Sequence, residues 1–226
     1  MAKARPAQGG NVTFNDREDA GCQLAARLAA YAGCANLVVL GIPRGGVVVA
    51  AAVARLLRVP LEAFIAAKLS VPGQEELAFG AIAEGGKCFL NLDTIRAAHI
   101  SEAQIEQIKA AATQRVRERA NTLRGKRPPL SVETKSVILI DDGIATGASI
   151  QVAILALRSS RPAKLIVAVP VAPASTCTRL RALADELVCV HEPRHFDAVS
   201  QFYLRFPQES DEAVAELLRE ANPTTS

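Results

Sequence analysis

The residues best suited to chemistry lie between Val137 and Ser149, where two adjacent carboxylates precede a loop of small and hydroxyl-bearing residues. Asp141 and Asp142 follow an apolar run, and residues 143–149 read Gly-Ile-Ala-Thr-Gly-Ala-Ser before a helical pattern begins. Carboxylates accept hydrogen bonds from hydroxyl groups, whereas loop amides and a helix N-terminus can hold a phosphate. The two features together predict a site for a phosphorylated sugar.

Three other interpretations fit this stretch less well. A solvated turn or the acid pocket of a receiver domain would also place carboxylates after a strand, but neither needs Ala-Thr-Gly-Ala-Ser directly afterwards. An ATP-type P-loop requires GxxxxGK followed by Ser or Thr, and the sequence lacks that pattern. Small residues let a backbone approach an oxyanion closely, and Thr146 and Ser149 add hydroxyl donors. The stretch therefore favours a phosphate-binding loop.

A second loop, Pro43-Arg44-Gly45-Gly46, follows the apolar run 37–42. Taken alone, it could be an ordinary turn. However, an arginine can bind phosphate oxygens in a bidentate way, and adjacent glycines tolerate strained backbone geometry. Lys68 follows another apolar run, 61–67, and would add a cation, although a solvated lysine is its simplest interpretation.

Alternating strands and helices must position these loops. Apolar runs predict strands at 37–42, 61–67, 137–141, 165–169 and 187–190, and helical spacing predicts helices at about 16–31, 47–57, 101–123, 147–159, 175–184 and 210–221. This order predicts an α/β fold with a doubly wound, mainly parallel five-stranded sheet. If the first and third strands are neighbours, their loops meet at a topological switch point, where such sheets bind ligands.

Composition excludes several classes of protein. Half of the 226 residues are apolar and 22% are charged, so the chain can form a sizeable core and is not intrinsically disordered. A net charge of +3 suits an anionic small molecule and does not require nucleic acid. No apolar run is long enough to span a membrane, and the N-terminus lacks a signal-peptide core, which predicts a cytoplasmic protein.

The cysteines and histidines form no recognisable metal-binding motif in the sequence. His191 and His195 flank Glu-Pro-Arg and His99 stands apart, so no zinc site is expected. The cysteines have apolar neighbours and no CxxC spacing, which predicts buried free thiols in a reducing compartment. They are Cys22, Cys34, Cys88, Cys177 and Cys189.

The stretch from Val137 to Ser149 resembles the phosphoribosyl-pyrophosphate (PRPP) motif of type I phosphoribosyltransferases. Residues 14–218 are similar to a bacterial group of predicted phosphoribosyltransferases, through DREDAG, PRGG, VPG…ELAFGAIAEGG, the acid-pair motif and FPQESDE. The resemblance implies one domain over 14–218, with loose termini at 1–13 and 222–226. It also implies transfer of the 5-phosphoribosyl group of PRPP to a small nitrogenous base, with release of pyrophosphate.

The resemblance implies a role for each loop. Asp141 and Asp142 would hold the ribose hydroxyls, directly or through Mg²⁺, which is the implied cofactor and could be bound through water. Arg44, Gly45 and Gly46 would form the pyrophosphate loop, with Lys68 nearby as a second catalytic cation. The remaining PRPP-binding residues would be Gly143, Ala145, Thr146, Gly147, Ala148 and Ser149.

Three peripheral segments are also implied: a flexible β-arm at 70–91, an inserted helix at 101–123 and a small C-terminal hood at 191–221. Glu84 is the acid of the arm that is best suited to a role in the site. The C-terminal aromatics Phe196, Phe202 and Tyr203 could stack on a base, but packing of the last helix onto the core is the favoured interpretation. Dimers are common in the family, which leaves a homodimer as an option.

Two alternatives share the fold. A regulatory protein would bind PRPP without turning it over, and a hydrolase would release pyrophosphate to water. The sequence has no helix-turn-helix extension and no strongly basic face, which makes the regulatory alternative second in rank. Hypoxanthine-guanine enzymes carry an aspartate where this chain has Ala145, so a 6-oxopurine acceptor is not expected.

Overall fold

The computed structural model of the chain describes residues 13–125 and 127–222, without the side chain of Glu76. The described residues form eight strands and seven α-helices. The strands are β1 (Leu37–Gly41), β2 (Leu61–Ala63), β3 (Ala66–Val71), β4 (Gln74–Ala83), β5 (Cys88–Leu90), β6 (Ser136–Ile140), β7 (Lys164–Val171) and β8 (Glu186–His191). The helices are α1 (Arg17–Arg27), α2 (Gly45–Leu57), α3 (Leu92–Ala97), α4 (Glu102–Arg124), α5 (Ala148–Arg158), α6 (Ala174–Arg181) and α7 (Asp211–Ala221).

Five strands form one parallel sheet in the order β2-β1-β6-β7-β8. Within it, Val39 of β1 lies opposite Leu61 of β2 on one side and Ile138 of β6 on the other. Alternate strand residues face α1 and α2 on one face and α5 and α6 on the other. Residues 137–140 are fully buried, as a strand covered on both faces requires. The predicted α/β fold with a doubly wound, five-stranded parallel sheet is confirmed, and its first and third strands are neighbours.

The apolar run 61–67, predicted as one strand, is divided between two sheets. β2 ends at Ala63, and β3 begins at Ala66 in a separate antiparallel sheet with β4 and β5. Lys68 therefore does not end a strand of the main sheet but lies within β3, opposite Ala81. An unbroken apolar run cannot reveal this change of sheet, because the segments on both sides of it are largely buried.

β7 is longer than predicted, because Pro170 does not end it. β6 stops at Ile140, opposite Ala168, so Pro170 lies beyond the part of β7 that is paired on both sides. A residue without an N–H is tolerated at such a position. The strand continues to Val171, whose carbonyl accepts a hydrogen bond from the Ile144 amide at 3.0 Å.

The arm consists of β3, β4 and β5, and it begins at Ala66 rather than at the predicted residue 70. Leu69 and Phe79 are fully buried and join the main core. Ala81 of β4 packs near Ala156 of α5. The arm is thus a small sheet that packs against the rest of the fold, while the flexibility implied by the resemblance stays a prediction.

A buried ionic cluster fastens the base of the arm to the main sheet. Arg124, at the end of α4, forms an ion pair with Glu62 of β2 at 3.1 Å and another with Glu84. Arg127 lies 3.3 Å from the second oxygen of Glu62. The side chains of Arg124 and Glu62 are only 1% and 2% exposed. Glu84, which the sequence suggested for the site, is therefore engaged in this cluster.

The structure has a helix where the sequence predicts one at 101–123: α4 runs from Glu102 to Arg124. Ser101 and Gln104 form a capping box, in which the Ser101 amide donates to Gln104 Oε1 at 2.9 Å and the Gln104 amide donates to Ser101 Oγ at 3.4 Å. Such reciprocal bonds satisfy amides that a helix start leaves without partners. The start of this helix was therefore readable from local sequence alone.

The C-terminal aromatic residues pack around Phe14 rather than beneath the last helix. Phe202 and Tyr203 are 5% and 6% exposed, and Phe196 stacks on Phe202 with ring centroids 5.4 Å apart. The last helix, α7, instead joins the main core beside α2 and α4. Packing was the right interpretation, but its partner was wrong. The segment predicted as one hood, 191–221, is therefore divided between the aromatic group around Phe14 and helix α7 in the main core.

The loose termini predicted at 1–13 and 222–226 lie outside the described residues, except for Thr13 and Asn222. The Asn222 side chain donates hydrogen bonds to the carbonyl oxygens of Leu61 and Leu218, both at 2.9 Å. Asn222 is therefore fixed to β2 and belongs to the folded part of the chain, contrary to the predicted boundary.

Arg124→Met should destabilise the protein by about 3–5 kcal/mol, because it leaves the buried carboxylate of Glu62 without its closest cation. Arg96→Met is the matched control, since the Arg96–Asp93 pair is almost fully exposed and should contribute less than about 1 kcal/mol. Urea unfolding measures both values. Equal losses in the two variants would contradict a structural role for the buried cluster.

Candidate functional site

The two predicted loops touch at the carboxyl ends of β1 and β6. A Cβ atom on Gly46 would lie 2.8 Å from the carbonyl oxygen of Ile140 and 2.9 Å from Cα of Asp141. A Cβ atom on Gly45 would lie only 1.9 Å from Oδ2 of Asp142. A side chain on Gly46 would collide with backbone atoms, and one on Gly45 would displace the Asp142 carboxylate from its present position. The glycine pair is therefore required so that the second loop can rest on the acid pair.

A buried arginine also holds Asp142. Arg17 Nε donates to Asp142 Oδ2 at 2.7 Å, and Arg17 Nη1 donates to the Pro207 carbonyl at 2.7 Å and to Glu209 Oε1 at 3.0 Å. The guanidinium also lies 3.8 Å from the centre of the Phe206 ring. Sequence reasoning noticed DREDAG as a family pattern but gave Arg17 no role. Its partners lie more than a hundred residues away, so only the folded chain reveals them.

The backbone of the acid pair is fixed as well. The Tyr203 hydroxyl donates to the Asp142 carbonyl oxygen at 2.5 Å, and the Asp142 amide donates to Asp141 Oδ1 at 2.9 Å. Burial raises the pKa of the Tyr203 hydroxyl, so it remains a hydrogen-bond donor at neutral pH. For Tyr203 the sequence left base stacking as an option and favoured packing. In the structure its ring packs against Phe14 and its hydroxyl supports the acid loop.

Asp141 is in an unfavourable environment for a negative charge. Burial raises the pKa of its carboxyl group well above the usual 3.8, and the neighbouring charge of Asp142 raises it further. The Asp142 amide and Arg17 act in the opposite direction but do not compensate. A cation or a set of hydroxyl donors next to Asp141 would relieve this strain.

The loop after the acid pair, residues 143–149, has several backbone amides that could bind a ligand. We call it the phosphate-suited loop. Gly147 adopts φ +81°, and α5 begins directly behind it. The amides of Ala145, Thr146 and Gly147 donate to no atom of the described residues. Thr146, in this loop, and Ser149, in the first turn of α5, are both exposed. Unpartnered amides at a helix N-terminus attract an anion, because the N–H groups and the helix dipole both favour negative charge.

Helix α6 supports this loop from behind. Thr176 Oγ1 donates to the Ala145 carbonyl at 2.9 Å, and Arg179 Nη2 donates to the Thr146 carbonyl at 2.8 Å. In a trans peptide the carbonyl and the next amide point in opposite directions. Carbonyls held by α6 therefore turn the amides of Thr146 and Gly147 away from it. Neither Thr176 nor Arg179 was predicted, because nothing in the local sequence links them to this loop.

The predicted cations lie in different elements. Arg44 directly precedes α2 and follows a cis peptide bond with Pro43. Its carbonyl oxygen accepts a hydrogen bond from the Val47 amide at 3.1 Å, whereas its side chain forms no hydrogen bond or ion pair with the described residues. Lys68, from the arm, lines a cleft of about 280 Å³ together with Pro43 and Ser149. Arg119 of α4 lines the same cleft, where it pairs with Asp211. Glu84 is not brought to this cleft, because Arg124 holds it elsewhere.

The acid pair suits a hard divalent cation such as Mg²⁺. Such ions prefer carboxylate and ligand oxygens, and Asp141 and Asp142 supply adjacent carboxylates at the mouth of the phosphate-suited loop. Arg17 already occupies Oδ2 of Asp142. Asp141, whose pKa is raised by burial and by its neighbour, has the greater need of a positive partner.

Comparison with known proteins identifies the family of the chain. The model of the phosphoribosyl transferase domain matches residues 14–207. The chain belongs to that family. The matched segment includes both loops, the arm and the aromatic segment around Phe14, so the recognition made from sequence motifs is confirmed.

Individual relatives agree on the family. Two curated sequences from Mycobacterium tuberculosis strains, each provisionally described as a phosphoribosyl transferase, are 42% identical over 92% of this chain. The chain spans about half the length of these relatives, 47%. The crystal structure of TT1426 from Thermus thermophilus is 39% identical, covers 92% of this chain and 98% of its own, and superposes with a TM-score of 0.83. A purine phosphoribosyltransferase from Pyrococcus horikoshii is far more distant, with 16% identity and a TM-score of 0.45 over 86% of this chain and 93% of its own.

The membrane prediction was also compared with the structure. Within residues 13–125 and 127–222, none of the helices combines the length and the apolar character that crossing a bilayer requires.

Asp141→Asn and Asp142→Asn should change stability in opposite directions at neutral pH. The folded state raises the pKa of Asp141, so the protein loses stability as the pH rises from the unfolded value of 3.8 through the folded one. Asparagine cannot ionise, so Asp141→Asn should be more stable than the wild type above this window and similar to it below. Asp142→Asn removes the partner of Arg17 and should cost about 2 kcal/mol, less than for a fully buried pair.

Urea unfolding between acid and neutral pH measures both effects. Destabilisation by Asp141→Asn at neutral pH would contradict the electrostatic description of the acid pair. The exposed Arg96–Asp93 ion pair offers a matched control, because the stability of Asp93→Asn should have no comparable pH dependence.

Proposed function

We propose that this phosphoribosyltransferase transfers the 5-phosphoribosyl group of PRPP to a small nitrogenous base and releases pyrophosphate. One observation carries the proposal: the glycine pair Gly45-Gly46 rests directly on the acid pair Asp141-Asp142. Two anion-suited loops and two carboxylates are thereby combined in one crevice at the switch point of the sheet. PRPP carries phosphate groups at both ends of a ribose and matches this arrangement.

The 5-phosphate would lie against the amides of Ala145, Thr146 and Gly147, which have no partner among the described residues. The hydroxyl of Ser149 and the N-terminus of α5 would add to its binding. Asp141 and Asp142 would accept hydrogen bonds from the ribose 2- and 3-hydroxyls. The raised pKa of Asp141 supports this role, since hydroxyl donors stabilise the carboxylate that burial disfavours.

The reaction breaks the bond between C1 of the ribose and a pyrophosphate oxygen, while a ring nitrogen of the base forms a new bond at C1 with inversion. The transition state would resemble an oxocarbenium ion. Negative charge grows on pyrophosphate as the bond breaks, and Arg44 is placed to bind it without losing any existing interaction. Lys68, across the cleft, would add a second positive charge. When bound, Mg²⁺ would neutralise further charge on the leaving group.

Water must be kept from C1, because an oxocarbenium-like centre also reacts with water. The cleft between the arm and α5 is lined by Ile42, Phe64 and Val152, which are apolar, and by Lys68. Movement of the arm over bound PRPP would exclude solvent. The ionic cluster at Arg124 would then serve as a fixed base for that movement, rather than as a part of the chemistry.

The acceptor is defined only as a small nitrogenous base. Phe202 and Tyr203 are almost fully buried among other aromatic rings, which leaves little of either face for stacking on a base. Ala145 argues against a 6-oxopurine. A cytoplasmic location, a homodimer and nucleotide salvage as the biological context likewise remain predictions.

The double variant Asp141→Asn, Asp142→Asn should abolish pyrophosphate release from PRPP while it keeps its secondary structure. Asp93→Asn, an equivalent change at an exposed acid, should keep full activity. Pyrophosphate release is measured with PRPP, Mg²⁺ and a panel of nucleobases, and folding by circular dichroism. Full activity of the folded double variant would refute the proposal. PRPP binding without release would indicate a PRPP-binding regulator, and release without any base would indicate a hydrolase.

Arg44→Ala should lower kcat by about 100-fold, because it removes a donor that acts on the developing charge of pyrophosphate. Stability should change little, since the Arg44 side chain forms no hydrogen bond with the described residues and its backbone bond to the Val47 amide does not depend on the side chain. Arg96→Ala, at an exposed site outside the cleft, is the matched control. If Arg44→Ala and Arg96→Ala retain the same kcat, the proposed pyrophosphate contact is wrong.

A further inference from the structure

Folding brings together three potential metal ligands that are separated in the sequence. Cys177 lies in α6, Cys189 lies in β8, and Glu192 directly follows the end of β8. The two sulfur atoms and a carboxylate oxygen of Glu192 all lie within 4.8 Å of one another. No step of the proposed reaction uses these three residues.

We propose that Cys177, Cys189 and Glu192 bind a zinc ion. Thiolates and a carboxylate are common ligands of Zn²⁺, and a tetrahedral site with Zn–S bonds of about 2.3 Å separates its ligand atoms by about 3.8 Å. The two sulfur atoms and the carboxylate oxygen lie within 4.8 Å of one another, which is near enough for them to share one ion. Small side-chain rotations would complete three positions of a tetrahedron, and water would take the fourth.

The surroundings of the cluster favour a cation. Cys177 is fully buried, whereas Glu192 is exposed and is oriented by Arg181 through an ion pair of 2.5 Å. The Cys189 thiol lies 3.1 Å from the His191 carbonyl oxygen, which also carries partial negative charge.

The site would connect to the phosphate-suited loop through α6. Thr176 and Arg179, which hold the carbonyls of Ala145 and Thr146, flank Cys177 in the same helix. A zinc ion between Cys177 and Cys189 would tie α6 to the edge strand β8. The two supports of the loop would thus be fixed relative to the sheet.

Zinc binding is measured on the full chain after removal of metals and reduction with a phosphine. Competition with a chromophoric chelator should give one Zn²⁺ per chain. Cys177→Ser and Cys189→Ser should weaken binding by about 100-fold or more, since even groups that only orient zinc ligands contribute 10–100-fold. Cys34→Ser, at an exposed cysteine outside the cluster, is the matched control and should bind as the wild type does.

Glu192→Gln keeps the proposal testable if a cysteine variant fails to fold, because Glu192 is exposed. It should bind zinc at least about tenfold more weakly, and Co²⁺ in this variant should keep the thiolate charge-transfer band of two sulfur ligands. Equal zinc affinity in Glu192→Gln, Cys189→Ser and Cys34→Ser would overturn the proposal. Absence of zinc uptake by the reduced wild type would also overturn it, and a Cys177–Cys189 disulfide found by mass spectrometry in that case would identify a redox pair instead. These measurements do not depend on transferase activity.

Discussion

The contact between Gly45-Gly46 and the acid pair is the constraint on which the site depends. Neighbouring parallel strands β1 and β6 end at the same edge of the sheet, so the loops that follow them must share a small space. Any side chain in place of Gly45 would collide with Asp142. Because the backbones meet directly, one crevice combines a cationic loop, two carboxylates and a row of unpartnered amides.

The adjacent carboxylates of Asp141 and Asp142 concentrate negative charge in the crevice, and the fold neutralises only part of it. Arg17 neutralises Asp142 and at the same time anchors the C-terminal segment through Pro207 and Glu209. Asp141 keeps a raised pKa, because burial and its neighbour outweigh the groups that favour its charge. A site that is electrostatically unsatisfied without its ligand gains more when the ligand binds, which is a general feature of functional positions.

Three groups of residues around the crevice hold its loops and the arm in place. Helix α6 holds the carbonyls of the phosphate-suited loop, and the Arg124 cluster fastens the base of the arm to β2. The aromatic group around Phe14 packs against Val171, at the carboxyl end of β7, and presents the Tyr203 hydroxyl to Asp142. The C-terminal aromatic residues, which the resemblance assigned to a hood, therefore support the acid loop. Glu84, which the resemblance assigned to the site, instead fastens the arm.

The sequence by itself determined the strand–helix alternation, the parallel five-stranded sheet and the two loops, because each depends on local patterns of apolar residues, glycines and acids. Only the tertiary structure decided the change of sheet at Phe64, the capture of Glu84 by Arg124, and the role of Arg17 beside Asp142. The clustering of Cys177 with Cys189 was likewise decided only by the tertiary structure. These features are contacts between residues distant in the chain, and local periodicity carries no information about which buried charges or thiols become neighbours.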